Sequence, residues 1–231
     1  MEIEPRVSII IPTLNEEVVL ENVLRFLCEI KREYPLELIV VDGGSTDHTL
    51  QIATRYADKV VLTSPGRGEQ LNRGAERASG EILWFLHADT RIESNSILSI
   101  LSAIESGSGG GCFRITFDSK RLIYRSIAWG SNLRAKWLKS FYGDQGIFVE
   151  REIFKNLGGF RPIPLMEDLE FSQRLKSRTQ VKVVASTIQT SSRRFQKGTF
   201  RTLLRMQVLK IGFHLGVDPK TLAKAYGLGR G

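Results

Sequence analysis

Between Val7 and Asp89 the chain switches repeatedly between two hydrophobic periods, and that switching admits few folds. Val7-Ser8-Ile9-Ile10-Ile11 is a short apolar run stopped at Pro12, the pattern of a strand buried on both faces. Val19, Leu20, Val23, Leu24, Leu27 and Ile30 then recur at helical spacing until Pro35. A second strand, Leu36 to Val41, closes on Asp42-Gly43-Gly44, and Ser45-Thr46-Asp47 offer N-caps for a helix reaching about Tyr56. A third strand covers Lys59 to Leu62 and a third helix Gly68 to Ala78. A fourth strand, Glu81 to Leu86, ends in His87-Ala88-Asp89. Strand and helix alternating at this pace predict βαβ units, with helices flanking a mostly parallel central sheet in a single α/β domain. Ligands of such sheets sit beyond the carboxyl ends of the strands. Thr13, Asn15 and Glu16 follow the first strand, Asp42 the second, and His87 and Asp89 the fourth, so acidic groups converge on one edge.

The second half is less regular. Ile97 to Glu105 reads as a helix and Cys112 to Phe117 as a strand. Arg121 to Lys139 holds Trp129 and Trp137 in a mixed aromatic and basic context of helical character. Gly143-Asp144-Gln145-Gly146 precedes the strand Ile147-Phe148-Val149. Gly158-Gly159-Phe160 with Pro162 and Pro164 makes a turn before a helix that begins near Met166-Glu167-Asp168. Val181 to Ala185 is a last short strand. From Thr199 the positions Phe200, Leu203, Leu204, Val208, Ile211 and Leu215 keep helical spacing, and packing against the protein's own core is the expected use of such a helix.

Composition narrows the function. With 42% hydrophobic and 25% charged residues in 231, the chain can build a sizeable core, which excludes disordered and coiled-coil classes. Cys28 and Cys112 are too few for a disulfide framework, and three His residues make a zinc enzyme a poor fit. No apolar run approaches the ~20 residues of a membrane span. The start, MEIEPRVSIIIP, is acidic where a signal peptide is basic, so a cytoplasmic location is expected. Charge is uneven: residues 1–168 carry 20 Lys and Arg against 23 Asp and Glu, and residues 169–231 carry 13 against 2. A basic end on a slightly acidic body suits an anionic partner.

The chemistry follows from what is present and what is missing. Acids at strand ends suit a divalent cation, and a cation suits a diphosphate. Neither a Gly-x-Gly-x-x-Gly after the first strand nor a Gly-x-x-x-x-Gly-Lys-Ser/Thr occurs, which excludes dinucleotide dehydrogenases and P-loop NTPases. The run Val7 to Glu17, with Pro12-Thr13-Leu14-Asn15-Glu16, then Val40-Val41-Asp42-Gly43-Gly44-Ser45-Thr46-Asp47, then Leu86-His87-Ala88-Asp89 resemble the family 2 glycosyltransferases, which have the GT-A fold. The resemblance continues through Gly143-Asp144-Gln145-Gly146 and Gly158-Gly159-Phe160 to Met166-Glu167-Asp168, about three quarters of the chain.

That resemblance implies an inverting transfer of a sugar from a nucleoside-diphosphate sugar to an acceptor hydroxyl, assisted by Mg²⁺ or Mn²⁺. It implies a nucleotide-sugar site made of Pro12, Thr13, Glu16, Asp42, Arg67, His87, Ala88, Asp89, Arg193 and Arg194, with Asp89 as the metal ligand. His87 stands where the family's Asp-x-Asp has its first Asp. Asp168 is the expected general base, and Asp144, Gln145 and Glu167 lie on the acceptor side. Residues 1–198 form the expected GT-A domain (1–90 for the donor, 91–198 for the acceptor), and 199–231 a basic helical extension. An acceptor linked to lipid, a peripheral contact with the anionic inner face of the cell membrane, and a homodimer are all compatible with that extension. Two rival readings remain: a nucleic-acid-binding module using the basic end, for which no motif is present, so that no nucleic-acid partner is expected, and a partner-binding GT-A scaffold without catalysis.

Overall fold

The computed structural model describes residues 5–195 and 198–226. The elements run β1 (Val7–Thr13), α1 (Glu17–Lys31), β2 (Leu36–Asp42), α2 (Thr49–Tyr56), β3 (Lys59–Leu62), α3 (Arg67–Arg77), β4 (Ile82–Phe85), β5 (Arg91–Ile92) and α4 (Ser96–Glu105). They continue as β6 (Gly110–Phe117), α5 (Leu122–Leu138), β7 (Phe148–Glu150), α6 (Arg151–Asn156), α7 (Glu167–Arg178), β8 (Val181–Thr190), α8 (Thr199–His214) and α9 (Pro219–Tyr226). The strands form one sheet in the order β3-β2-β1-β4-β7-β6-β8-β5.

The first four strands are parallel, with Thr13 in register with Asp42, so their functional ends lie side by side. β7 then runs antiparallel to both β4 and β6, while β6 and β8 are parallel again. β1 extends through Pro12, where the sequence pattern stops it. Pro12 stands past the last β4 partner, Phe85 opposite Ile10, so its missing N–H breaks no bond to that neighbour. β8 likewise runs five residues beyond the expected Ala185, which carries Thr190 to the site edge.

The apolar strands explain the layers. Ile9 and Ile11 point into a core with Leu20, Leu24, Trp84 and Phe113, while Ile10 points into another with Leu71, Phe85 and Phe160. That division is the period-2 alternation of a sheet buried on both faces. α3 packs very close to the sheet: a Cβ at Gly74 would lie 2.4 Å from Ile10 Cγ2 and 2.9 Å from Val41 Cγ2. Two residues before it, the Asn72 side-chain amide donates to Phe160 O (2.8 Å) and its carbonyl accepts from Phe160 N (2.8 Å). The Asn-x-Gly of α3 thus tethers the Gly158-Gly159-Phe160 turn. Asp47 is not the cap residue of α2, which starts two residues later, but its carboxylate accepts the N–H of Thr49 (2.9 Å) and of Glu17 (3.2 Å). It therefore ties the starts of α1 and α2 together.

Candidate functional site

The parallel strand ends build one wall. Asp42, 1% exposed, has its carboxylate filled by four donors: Gly44 N (2.9 Å), Ser45 N (2.8 Å), Ser45 Oγ (2.5 Å) and Thr13 Oγ1 (3.1 Å). Four is the ordinary acceptor capacity of a carboxylate, so any ligand N–H must displace one of the two hydroxyls. Gln70, absent from the sequence expectation, donates through its amide to Thr13 O and Val41 O (2.9 Å each) and pins the two strand ends. Asn15, at φ +54°, clasps the next loop by accepting the Thr46 N–H (2.9 Å).

A cleft of about 340 Å³ lies over these ends. Pro12, Thr13, Glu16, Arg67, His87, Ala88, Asp89 and Arg193 all line it, so eight of the ten expected nucleotide-sugar residues come together; Asp42 lies beneath the lining, and the Arg194 side chain is outside the described residues. Arg193 reaches across from the far end of the chain. Its Nη2 meets both Glu16 oxygens (3.0 and 2.9 Å) and Asp89 Oδ2 (3.2 Å). Burial opposes the charged guanidinium, but these two carboxylates more than offset it and push Arg193 further toward the protonated form.

The opposite wall holds a second cation. Arg67 Nη2 donates to His87 Nε2, so that ring nitrogen is the acceptor and carries no proton in this contact. Arg67 Nε lies 3.3 Å from Glu167 Oε1. The guanidinium rests on Gly143, where a Cβ would come within 1.8 Å of Nη2. At the position of the family's first Asp, His87 thus meets a cation through its ring nitrogen.

Met166, at φ +67°, turns the chain so that α7 starts with Glu167 buried and Asp168 half-buried. Asp168 Oδ2 accepts the Gly143 N–H (2.7 Å) and Oδ1 its following N–H, Leu169 (2.7 Å), which leaves two acceptor positions open. Burial and the Asp168 charge push the Glu167 carboxyl up to about 7, with Arg67 acting in the other direction. The folded state thus keeps that proton up to about pH 7, whereas the unfolded chain releases it near 4.5. Stability from this group accordingly falls as pH rises through that window, by on the order of 3 kcal/mol at most. In Glu167→Gln the decline of Tm between pH 5 and 8 is expected to flatten; an unchanged slope would show that Glu167 does not titrate there.

A second cavity, of about 460 Å³, lies between α5 and α8 and is lined by Asp144 with Arg134, Tyr142 and Lys210. Asp144 Oδ1 is buried there without a hydrogen-bond partner. Gln145 is fully buried instead, its Oε1 accepting from Arg134 Nη2 (2.7 Å) and Tyr142 N (3.3 Å), so it braces the turn from below. Thr190 and Ser191 line both this cavity and the cleft, which therefore adjoin. The sequence pattern missed Thr190 because it ends β8 at Ala185.

Among the described residues no three His, Cys, Asp or Glu cluster as a metal site. Asp89 and Glu16 nevertheless hold a cation between them, the Arg193 guanidinium, so the donor set suits a hard divalent ion that takes most of its ligands from phosphate and water.

A family model described as Glycosyl transferase family 2 matches residues 8–163. Probable glycosyltransferase YdaM of Bacillus subtilis (strain 168) is 29% identical over 197 residues, 74% of this chain and 46% of its own length. A PGL/p-HBAD biosynthesis glycosyltransferase of Mycobacterium bovis is 31% identical over 176 residues, 68% of this chain and 63% of its own. The match thus spans about half of the first relative and under two thirds of the second. Among solved structures, the mannosyltransferase PcManGT from Pyrobaculum calidifontis in complex with GDP-Man and Mn²⁺ superposes with a TM-score of 0.68 at 21% identity, covering 97% of this chain and 69% of that one. S. aureus TarS 1-349 in complex with UDP-GlcNAc gives 0.63 at 20% identity, covering 81% and 58%. These likenesses establish the GT-A fold.

Proposed function

Because the chain belongs to glycosyl transferase family 2, we propose that it transfers a sugar, with inversion, from a nucleoside-diphosphate sugar to an acceptor hydroxyl. The observation that carries this reading is the cleft at the parallel strand ends, where Glu16 and Asp89 face one cation and Arg67 supplies another. Residues 1–90 together with Arg193 hold the donor, the rest of 91–198 forms the acceptor side, and 199–231 form a basic extension. Thr13 and Asp42 meet the base and ribose, exchanging their mutual hydrogen bonds for those of the ligand.

In the proposed step the acceptor oxygen attacks the anomeric carbon as the bond to the diphosphate oxygen breaks. The hydroxyl proton passes to the Asp168 carboxylate, and the nucleoside diphosphate leaves with the bonding electron pair. Arg67 and Arg193 face the negative charge that grows on the leaving oxygens, Arg193 exchanging Asp89 for phosphate. Asp89 would hold a Mg²⁺ or Mn²⁺ ion, which when bound supplies further positive charge to the diphosphate. One observation favours a second reading of the base: Asp144 has an unpartnered buried oxygen on the acceptor-side cavity that adjoins the cleft.

The test is a thermal-shift panel of UDP, GDP, dTDP and CDP with Mn²⁺. One nucleotide at 100 times its dissociation constant is expected to add about 2.7 kcal/mol of stability; no shift with any of them would refute the donor site. Gly143→Ala probes Arg67 in the same cleft. The new methyl displaces the guanidinium but spares the backbone N–H to Asp168, so nucleoside-diphosphate affinity should fall about tenfold, the value of one charge-assisted bond. Calorimetric titration showing wild-type affinity would remove Arg67 from the donor site.

A further inference from the structure

The expectation that α8 packs its apolar stripe against the protein is overturned. Phe200, Leu204, Val208, Ile211 and Leu215 recur down one face, and that face points outward, with Phe200 81% and Leu215 79% exposed. The neighbouring face, with Leu203 and Met206, lines the cavity shared with α5, and Leu209 is buried. α5 repeats the arrangement on the other side of that cavity. Leu122, Trp129, Leu133 and Trp137 are exposed, the two tryptophans at 69% and 72%, while Ile127 and Gly130 line the cavity. Two adjacent helices thus present large apolar side chains to solvent, far more than scattered surface residues would.

The charges around these stripes are mostly positive. Residues 119–143 carry Lys120, Arg121, Arg125, Arg134, Lys136 and Lys139 and no acid. Residues 199–226 carry five Lys and Arg against a single acid, Asp218. We propose that α5 and α8 together form a docking face for an anionic phospholipid bilayer. Exposed tryptophans, exposed aliphatic side chains beside them and flanking cations are the composition that seats a helix in the headgroup region. A second copy is the weaker occupant, because a two-fold interface places the same patch against itself and would bring the cations of both copies together. No helix among the described residues is long and apolar enough to cross a membrane, so the contact is at the surface. The inference stands independently of the transfer reading.

The experiment is co-sedimentation of the full chain with phosphatidylcholine vesicles, with and without phosphatidylglycerol, at low and moderate salt. Binding only to the phosphatidylglycerol vesicles, weakened by salt, is expected. Tryptophan emission should shift to the blue on binding, since Trp129 and Trp137 are exposed and Trp84 is already buried. The double variant Trp129→Ser/Trp137→Ser changes only exposed side chains; its partitioning should drop about tenfold or more, with nucleoside-diphosphate binding unchanged. Equal recovery on both vesicle types without an emission shift would overturn the proposal. So would a concentration-dependent dimer in sedimentation velocity that the double variant abolishes. Anionic-vesicle binding by a chain that takes up no nucleoside diphosphate would support the docking face and overturn only the transfer reading.

Discussion

Asp168→Asn is expected to lower turnover by about 10²–10⁴-fold, the share of a positioned general base, with donor affinity close to wild type. The carboxylate accepts hydrogen bonds from the N–H groups of Gly143 and Leu169, neither of which lines the donor cleft. Asn carries one acceptor oxygen, so one of these N–H groups loses its partner, at a local cost of about 1–3 kcal/mol. A thermal melt and a donor titration on the same preparation separate that cost from lost proton transfer. Single-turnover measurement of nucleotide release then reads the chemistry. If turnover survives while donor affinity collapses, Asp168 is a binding residue. Asp144→Asn, made in parallel, would show the larger loss of turnover if the unpartnered oxygen on the acceptor side takes the proton.

Asp89→Asn should remove the metal-dependent part of donor binding, a loss of about 10²-fold or more, and leave the fold in place. Asp89 is a strand-end acid outside the core, and Arg193 keeps both Glu16 oxygens when it goes, so no cation is stranded. The same geometry makes an opposite expectation for Arg193→Ala. The guanidinium holds the oxygen that a metal would need, so its removal should tighten Mn²⁺ binding measured without nucleotide while weakening nucleoside-diphosphate binding. Nucleotide titrations with and without Mn²⁺ read both. Undiminished Mn²⁺-assisted affinity in Asp89→Asn would place the metal elsewhere.

The order of β1 to β4 with their helices is legible in the chain, since apolar period depends only on residues a few positions apart. So is the shared edge of Glu16, Asp42 and Asp89, because parallel strands bring every carboxyl end to the same side. What those acids meet depends on contacts between distant segments. Arg193 lies 177 positions from Glu16, and no local pattern ties the two. Nor does any local signal say that Gln145 is fully buried, that Gly143 underlies Arg67, or that burial beside Asp168 raises the Glu167 carboxyl. The stripe of α8 makes the same distinction. Its helical spacing is plain in the chain, but apolar residues line more than one side of the helix. Which side faces the protein was therefore decided by α5 and the cavity between them, and the exposed side by what was left over. Spacing sets the conformation of a segment; partners, desolvation and exposure are set by segments far away in the chain.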